Sequence, residues 1–206
     1  MPATRTTGPD MEEIVLASAS PRRQELLRQI GVKFRQQVVE VDESPRKNEA
    51  PDAYVTRLAL EKARAVHARL GNDEVPVLGA DTAVVVDDEI LGKPRDEAHA
   101  AGMLRQLAGR EHRVLSAVAL VGRREASRVS ESRVCIRALS DDEIAAYWRT
   151  GEPLGKAGGY AVQGIGAIFI EQLHGSYSGV MGLPVFETAQ LLQEFGIRLP
   201  GNQNDN

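Results

Sequence analysis

Val75-Pro76-Val77-Leu78-Gly79-Ala80-Asp81-Thr82-Ala83-Val84-Val85-Val86 is the stretch on which the fold turns. It is rich in β-branched residues and long enough for a full strand. Asp87-Asp88 then turns it into Ile90-Leu91, and Gly92-Lys93-Pro94 ends the hairpin. One acidic residue interrupts the apolar run. With a strand's period of two, Asp81 shares a face with Val77, Ala83 and Val85, where a carboxylate is costly unless paired or bound to a metal. Gly79, two residues earlier, lets a ligand or another backbone come close. Asp81 is therefore the first catalytic candidate.

Outward from this strand, extended and helical patterns alternate. Residues 14–18 are a short apolar strand, and Ser20-Pro21 opens a helix, with Ser20 as its cap, that Gly31 stops. Residues 34–41 are extended, and a longer helix runs from Pro51 to Leu70 before Gly71. Beyond the hairpin come a helix over 96–108 and two strands, 113–121 and 127–138, joined by the Gly122-Arg123-Arg124 turn. Ser140-Asp141-Asp142-Glu143 is a capping box opening a short helix to Trp148. A glycine-rich stretch over 151–166 leads to a strand over 167–173, and Pro184 starts a last helix that Gly196 ends. Hairpin-joined strands among crossover helices predict an α/β fold: an elongated mixed sheet flanked by helices, with a cleft. The expected layout is one domain over 13–199 between polar tails at 1–12 and 200–206.

Bulk properties narrow the function. At 206 residues the chain has room for one good-sized unit. Its 42% hydrophobic and 26% charged residues are those of a folded globular protein. A net charge of −4 speaks against a nonspecific grip on nucleic acid, yet a small nucleotide needs only a few local cations. No apolar run approaches the ~20 residues needed to span a membrane. Met1 to Glu12 lacks a signal peptide's apolar core, so the expected compartment is the cytoplasm. The single cysteine, Cys135, sits in an apolar run and is expected to be a buried small hydrophobe. His67, His99, His112 and His174 have no second ligand at zinc spacing.

Two further places break the local pattern. In Ser18-Ala19-Ser20-Pro21-Arg22-Arg23 two hydroxyls, two arginines and free helix N–H groups converge, which makes either an anion site or a capped helix with solvated arginines. Lys62 lies about 20° from Val55 in helical projection, inside the stripe of Val55, Leu58, Ala59, Ala63, Val66 and Leu70. Its ammonium must snorkel out or meet a negative partner. Asp42 and Glu43 could supply a metal carboxylate or form an acidic loop, and Lys93 sits at a hairpin exit. A carboxylate in a strand, a second carboxylate, lysines and a Ser/Arg-rich helix start suit metal-assisted phosphate chemistry. There is no P-loop or kinase signature.

The motif Ser18-Ala19-Ser20-Pro21-Arg22-Arg23 with Leu26-Leu27 closely resembles the signature of Maf proteins. The resemblance continues through Val41-Asp42-Glu43, Glu61-Lys62-Ala63, Gly79-Ala80-Asp81-Thr82, Leu91-Gly92-Lys93-Pro94, Gly158-Gly159-Tyr160-Ala161-Val162-Gln163-Gly164 and Gly175-Ser176-Tyr177. It implies an inosine-triphosphatase-like fold and hydrolysis of a nucleoside triphosphate to the monophosphate and pyrophosphate, aided by Mg²⁺ or Mn²⁺, in a homodimer. By resemblance Asp81 is the proton acceptor, Glu43, Lys62 and Lys93 serve metal and phosphate, and Arg22, Thr82 and Gln163 choose the base, as in the dTTP/UTP branch. Ser18, Ser20 and Arg23 complete the expected substrate contacts, and Glu43 with Asp81 the metal ligands. Where the family carries an acidic residue before Lys-Ala-Gly, this chain has Gly155. Other readings stand beside this one: a pyrophosphatase for modified pyrimidine triphosphates or for inosine and xanthosine triphosphates, and a cell-division regulator acting by binding alone.

Overall fold

A computed structural model describes residues 14–200, so the expected tails, apart from Pro200, lie outside the described residues. The long β-branched stretch forms β3 (Val77–Val86), and everything else is arranged around it. Before it come β1 (Ile14–Leu16), α1 (Pro21–Gln29), β2 (Phe34–Gln36) and α2 (Pro51–Leu70). After it come β4 (Glu89–Leu91), α3 (Glu97–Leu107), β5 (Arg110–Val121), β6 (Glu125–Ile136), α4 (Asp141–Arg149), β7 (Ile170–His174), α5 (Tyr177–Met181) and α6 (Val185–Glu194).

The seven strands form one sheet in the order β2-β1-β3-β5-β6-β7, with β4 on β3. β1 pairs in parallel with β2 and β3, and the other pairings are antiparallel, so the sheet is mixed as its hairpins predict. Asp87 and Asp88, at φ 49° and 62°, make the two-residue turn whose twist suits a hairpin. Their carboxylates meet Arg110 and Arg113 at 2.5 and 2.7 Å, tying the turn to β5.

One face of the sheet carries α2. Val55, Ala59, Ala63 and Val66 pack on alternate residues of β3 and β5, among them Val77, Ala83, Val85, Leu115 and Ala117. Gly79 sets the spacing: a Cβ there would stand 2.1 Å from the Ala59 carbonyl oxygen, so only glycine admits the helix this close. The backbone that Gly79 accommodates is thus that of α2. The other face carries two separate cores. Leu26, Leu27, Leu183 and Leu191 cover Leu16, Leu78, Ala80 and Val118. Met103, Leu104, Ile144 and Tyr147 cover Val84, Val114, Val134 and Ile136. Between the two cores runs a row of hydroxyls in register, Thr82, Ser116 and Ser130, with α5 lying near it.

Three expectations are corrected, and one short helix comes without a sequence signal. Only 34–36 of the run 34–41 is strand, because β2 is an edge strand paired to a three-residue β1. Residues 165–169 form a 3₁₀ turn before β7, because the Glu152 carboxylate accepts both the Ile165 and Gly166 N–H groups at 2.8 Å and bends the chain there. The short α5 has little periodicity to announce it: Ser176 caps it by accepting from the Gly179 N–H, and Gly182 at φ 118° closes it. Cys135 is half-exposed, since in a strand it must face away from the buried Val134 and Ile136; its thiol lies 3.6 Å from Glu171.

His112 is buried in the second core, within hydrogen-bond distance (2.7 Å) of the Tyr160 hydroxyl. Burial, helped by the charge of Arg110, pushes its pKa down to about 4 from an ordinary 6.5. The unfolded chain takes up this proton below about pH 6.5 while the native state does so only near 4. Stability present above 6.5 is therefore lost as the pH falls toward 4, by about 3 kcal/mol at most. Urea melts of His112→Gln should show a flatter stability profile across that window than the parent.

Candidate active site

The site arises where β3 changes partner. On one edge β3 is paired with β5 along nearly its whole length. On the other, β1 takes only Val77 and Leu78 and β4 only Val84 to Val86. The last bond to the β1 side is from the Ala17 N–H to the Leu78 carbonyl at 2.8 Å. Residues 79–83 thus face an opening in the sheet, and a cleft of about 800 Å³ lies over it. Ten of the residues singled out from the sequence, Ser18, Ser20, Arg22, Arg23, Glu43, Lys62, Asp81, Thr82, Lys93 and Gln163, line this cleft. Asp42 does not; its carboxylate accepts from the Ser44 N–H in an exposed turn.

Lys62 does not snorkel. Its ammonium lies 2.7 Å from Asp81 Oδ1 and 2.7 Å from Glu43 Oε1. Lys93 reaches Glu43 Oε2 at 3.2 Å, so the four groups alternate in charge along the cleft wall. Burial works to raise the Glu43 pKa, but the hydrogen bond and charge of Lys62, with Lys93, outweigh it and hold the group ionised below its usual range. Asp81 is only 7% exposed, and no hydrogen bond to its Oδ2 is made among the described residues. One oxygen of a buried carboxylate is thereby held by an ammonium while the other stays open to the cleft.

Glu43 stands on an irregular segment that Arg57 and Tyr54 secure from α2. Arg57 holds Glu49 through two bonds of 2.6 and 2.7 Å and the Ser44 carbonyl through a third of 3.1 Å. The hydrogen bond from Arg57 is the main reason the Glu49 carboxyl is held down to about 2. The Tyr54 hydroxyl donates to the Glu43 carbonyl at 2.9 Å.

Across the cleft, the start of α1 supplies positive charge. Ser20 occupies the cap position, but its side chain makes no cap bond; its N–H donates to Ser18 Oγ at 3.2 Å instead. This corrects the expected cap and leaves the Ser20 hydroxyl uncommitted to the helix. Arg23 donates to the Gly182 carbonyl at 2.8 Å and to Ser18 Oγ at 3.1 Å, and it forms no salt bridge among the described residues. Burial lowers its pKa, opposed by the charges of Asp81 and Glu43. A fixed cation beside free first-turn N–H groups is a seat for an anion. Of the two readings of this segment, the capped helix lacks its side-chain cap bond.

The glycine-rich stretch closes the third side. Arg22 reaches the Gln163 carbonyl at 3.5 Å, joining residues far apart in the chain. The Gln163 Oε1 is buried with no hydrogen-bond partner, an arrangement that a ligand's donor would satisfy. Glu152 shapes this loop: besides Ile165 and Gly166 it accepts from the Tyr147 hydroxyl at 2.7 Å. Burial works to raise its pKa, yet those three donors together keep it low. Gly155 lies on the cleft wall at φ 71°, with open space where a side chain would be. Arg57, Tyr54, Glu152 and Ser116, the last bonded to Thr82 at 2.8 Å, escape a reading of the sequence. A Glu in a loop or a Ser in a strand carries no local sign of its partner.

The family described as Maf-like protein matches residues 13–195. The chain belongs to this family. Among its relatives, a dTTP/UTP pyrophosphatase of Alkalilimnicola ehrlichii is 56% identical over 188 residues, 89% of this chain and 93% of the relative. One from Aromatoleum aromaticum is 53% identical over 93% of this chain and 99% of its own length. One from Escherichia coli O157:H7 is 49% identical over 90% and 94%. Among solved structures, the Ham1 protein of Staphylococcus aureus superposes with a TM-score of 0.50 at 16% identity, over 89% of this chain and 97% of its own. At that identity the likeness concerns the fold, which is the mixed α/β fold expected of a Maf protein.

In this Maf chain the Glu152 carboxylate is what holds the turn carrying Gln163. Glu152→Gln puts an N–H donor where the site needs only acceptors. Chemical denaturation should show a loss of about 1–3 kcal/mol, with faster hydrogen exchange at the Ile165 and Gly166 amides.

Proposed function

We propose that the chain hydrolyses dTTP and UTP to the nucleoside monophosphate and pyrophosphate. The observation that carries this reading is the Asp81–Lys62–Glu43–Lys93 array facing Arg23 and the start of α1 across one cleft. The names of relatives at about half identity over most of the chain favour it over a purely regulatory binder and over inosine or xanthosine triphosphates.

In this reading the triphosphate lies between the α1 start and the lysines, with Arg23, Lys62 and Lys93 offsetting its charge. A water beside Asp81 attacks the α-phosphorus, and the open Oδ2 accepts its proton. The bond from the α-phosphorus to the α–β bridging oxygen breaks, and pyrophosphate leaves with the bonding pair. Lys62, held by two carboxylates, fixes Asp81 in place. Among the described residues no cluster of three or more His, Cys, Asp or Glu side chains could hold a metal. Glu43 and Asp81 still fit an ion that arrives with the nucleotide, because Mg²⁺ commonly uses one or two carboxylates with phosphate oxygens. When bound, Mg²⁺ or Mn²⁺ would add Lewis-acid charge at the phosphates. The base falls to Arg22, Thr82 and Gln163, whose amide offers a donor and an acceptor.

The same reading has the enzyme working in the cytoplasm; no helix of the described residues is long and apolar enough to cross a membrane. It also has two copies acting together as a homodimer. Sedimentation at micromolar concentration should give twice the mass of the 22.4 kDa chain.

The decisive experiment is a nucleotide panel. With Mg²⁺ or Mn²⁺ the purified protein should release pyrophosphate from dTTP and UTP faster than from dATP or GTP. Equal rates on all bases would remove the pyrimidine assignment, and no release from any would remove the enzyme. Asp81→Asn should lower kcat by about 10²–10⁴-fold, with circular dichroism showing the fold intact.

A further inference from the structure

Thr82 sits at a place where only one arrangement of protons is allowed. Ser116 lies directly across from it on β5, so both side chains project from the same face of the sheet. Thr82 Oγ1 and Ser116 Oγ are 2.8 Å apart, and Ser116 Oγ is 2.6 Å from the Gly179 carbonyl of α5. A hydroxyl has one proton and two lone pairs, while a carbonyl can only accept. Ser116 must therefore give its proton to Gly179. The opposite polarity would press two lone-pair oxygens together at 2.6 Å with no proton between them. With the Ser116 proton spent, the Thr82–Ser116 contact closes only if Thr82 donates.

What Thr82 then shows the cleft is a lone pair. The lock is strong because Ser116 is buried, 1% exposed, and shut off from bulk solvent. The surroundings suit a flat base: Val84, Val114, Val162 and Val180 line the cleft with Thr82, and the Gln163 Oε1 is a second acceptor, buried and without a donor. Acceptors that lack a donor call for a ligand edge that brings an N–H.

We propose that Ser116 is a positioning residue for base selection: by fixing Thr82 as an acceptor it favours bases with an N–H at position 3, uracil and thymine, over cytosine, whose N3 is a lone pair. The inference rests on the pyrophosphatase reading and names a residue through which that site chooses its substrate. Lone pair against lone pair costs the wrong base a hydrogen bond and leaves buried groups unpaired, the kind of discrimination a hydrophobic pocket cannot supply.

The test compares kcat/KM for UTP and CTP, which share ribose and triphosphate, in the parent and in Ser116→Ala and Ser116→Thr. The parent should prefer UTP. In Ser116→Ala the Thr82 hydroxyl is free to turn and donate, so the UTP/CTP ratio should fall at least about tenfold, or ~1.4 kcal/mol. Ser116→Thr, which keeps the hydroxyl, should retain the parent ratio; a general loosening of the site would lower both rates without moving it. If Ser116→Ala does not fold, Ser116→Cys takes its place, and a smaller fall in the same direction is expected. A folded Ser116→Ala (or, in its place, Ser116→Cys) with the parent ratio overturns the role of Ser116 and leaves the pyrophosphatase reading standing. A parent that turns over UTP and CTP equally overturns the base selection as well. A parent that releases no pyrophosphate overturns the function and this inference with it.

Discussion

The seat of α2 on β3 at Gly79 is the constraint from which the site follows. Because the helix backbone comes to rest against the strand there, the next turn of α2 brings Lys62 level with Asp81, two residues further along β3. A larger residue at 79 would lift the helix, and the ammonium would be drawn off the carboxylate. The same helix sends Tyr54 and Arg57 to the segment that carries Glu43. One close contact between two backbones thus sets three of the four charges along the cleft wall.

Those charges are affordable only together. A lone ammonium or carboxylate at this depth would neutralise or unfold its surroundings, whereas Lys62 between two carboxylates at 2.7 Å each is fully paired. Lys93 then balances the extra negative charge of Glu43. Arg23 on the far side is matched by no carboxylate salt bridge among the described residues, and it is held by a carbonyl and a hydroxyl instead. The cleft therefore has a balanced wall and a wall with positive charge to spare. That asymmetry suits a polyanion whose reacting end must meet a base.

The opposite face of β3 shows the same economy. Two apolar cores press on the sheet, and the row of hydroxyls at Thr82, Ser116 and Ser130 lies in the space between them. Asp81 and Thr82 are neighbours in the chain but point to opposite faces. Both reach the cleft because the sheet is open beside them. In the proposed reading, reaction chemistry and base recognition fall to these adjacent residues, which do not compete for the same space.

Much of this could be read from residue order. Asp81 and Lys62 were legible because each breaks a strict period, two for the strand and 3.6 for the helix, on a face that must be buried. The mixed sheet was legible from its hairpins, and the positive start of α1 from the hydroxyls and arginines crowded there. Gln163 carried no such sign and Lys93 only its place at a hairpin exit, so resemblance to a family gave both their roles. Other features depended on contacts between distant parts of the chain. Ser20 could cap α1 by type, yet its hydroxyl makes no cap bond, and Arg23 takes Ser18 and Gly182 as partners. Cys135 looked apolar by its neighbours and is half-exposed by its side of the strand. Glu152 bends the glycine-rich loop, and Ser116 orients Thr82, through bonds to residues 13 to 63 positions away. Periodicity states which side chains must be buried and so where a charge is out of place. Which partner satisfies that charge, and which way a hydroxyl's proton points, is decided only when separate elements are packed together.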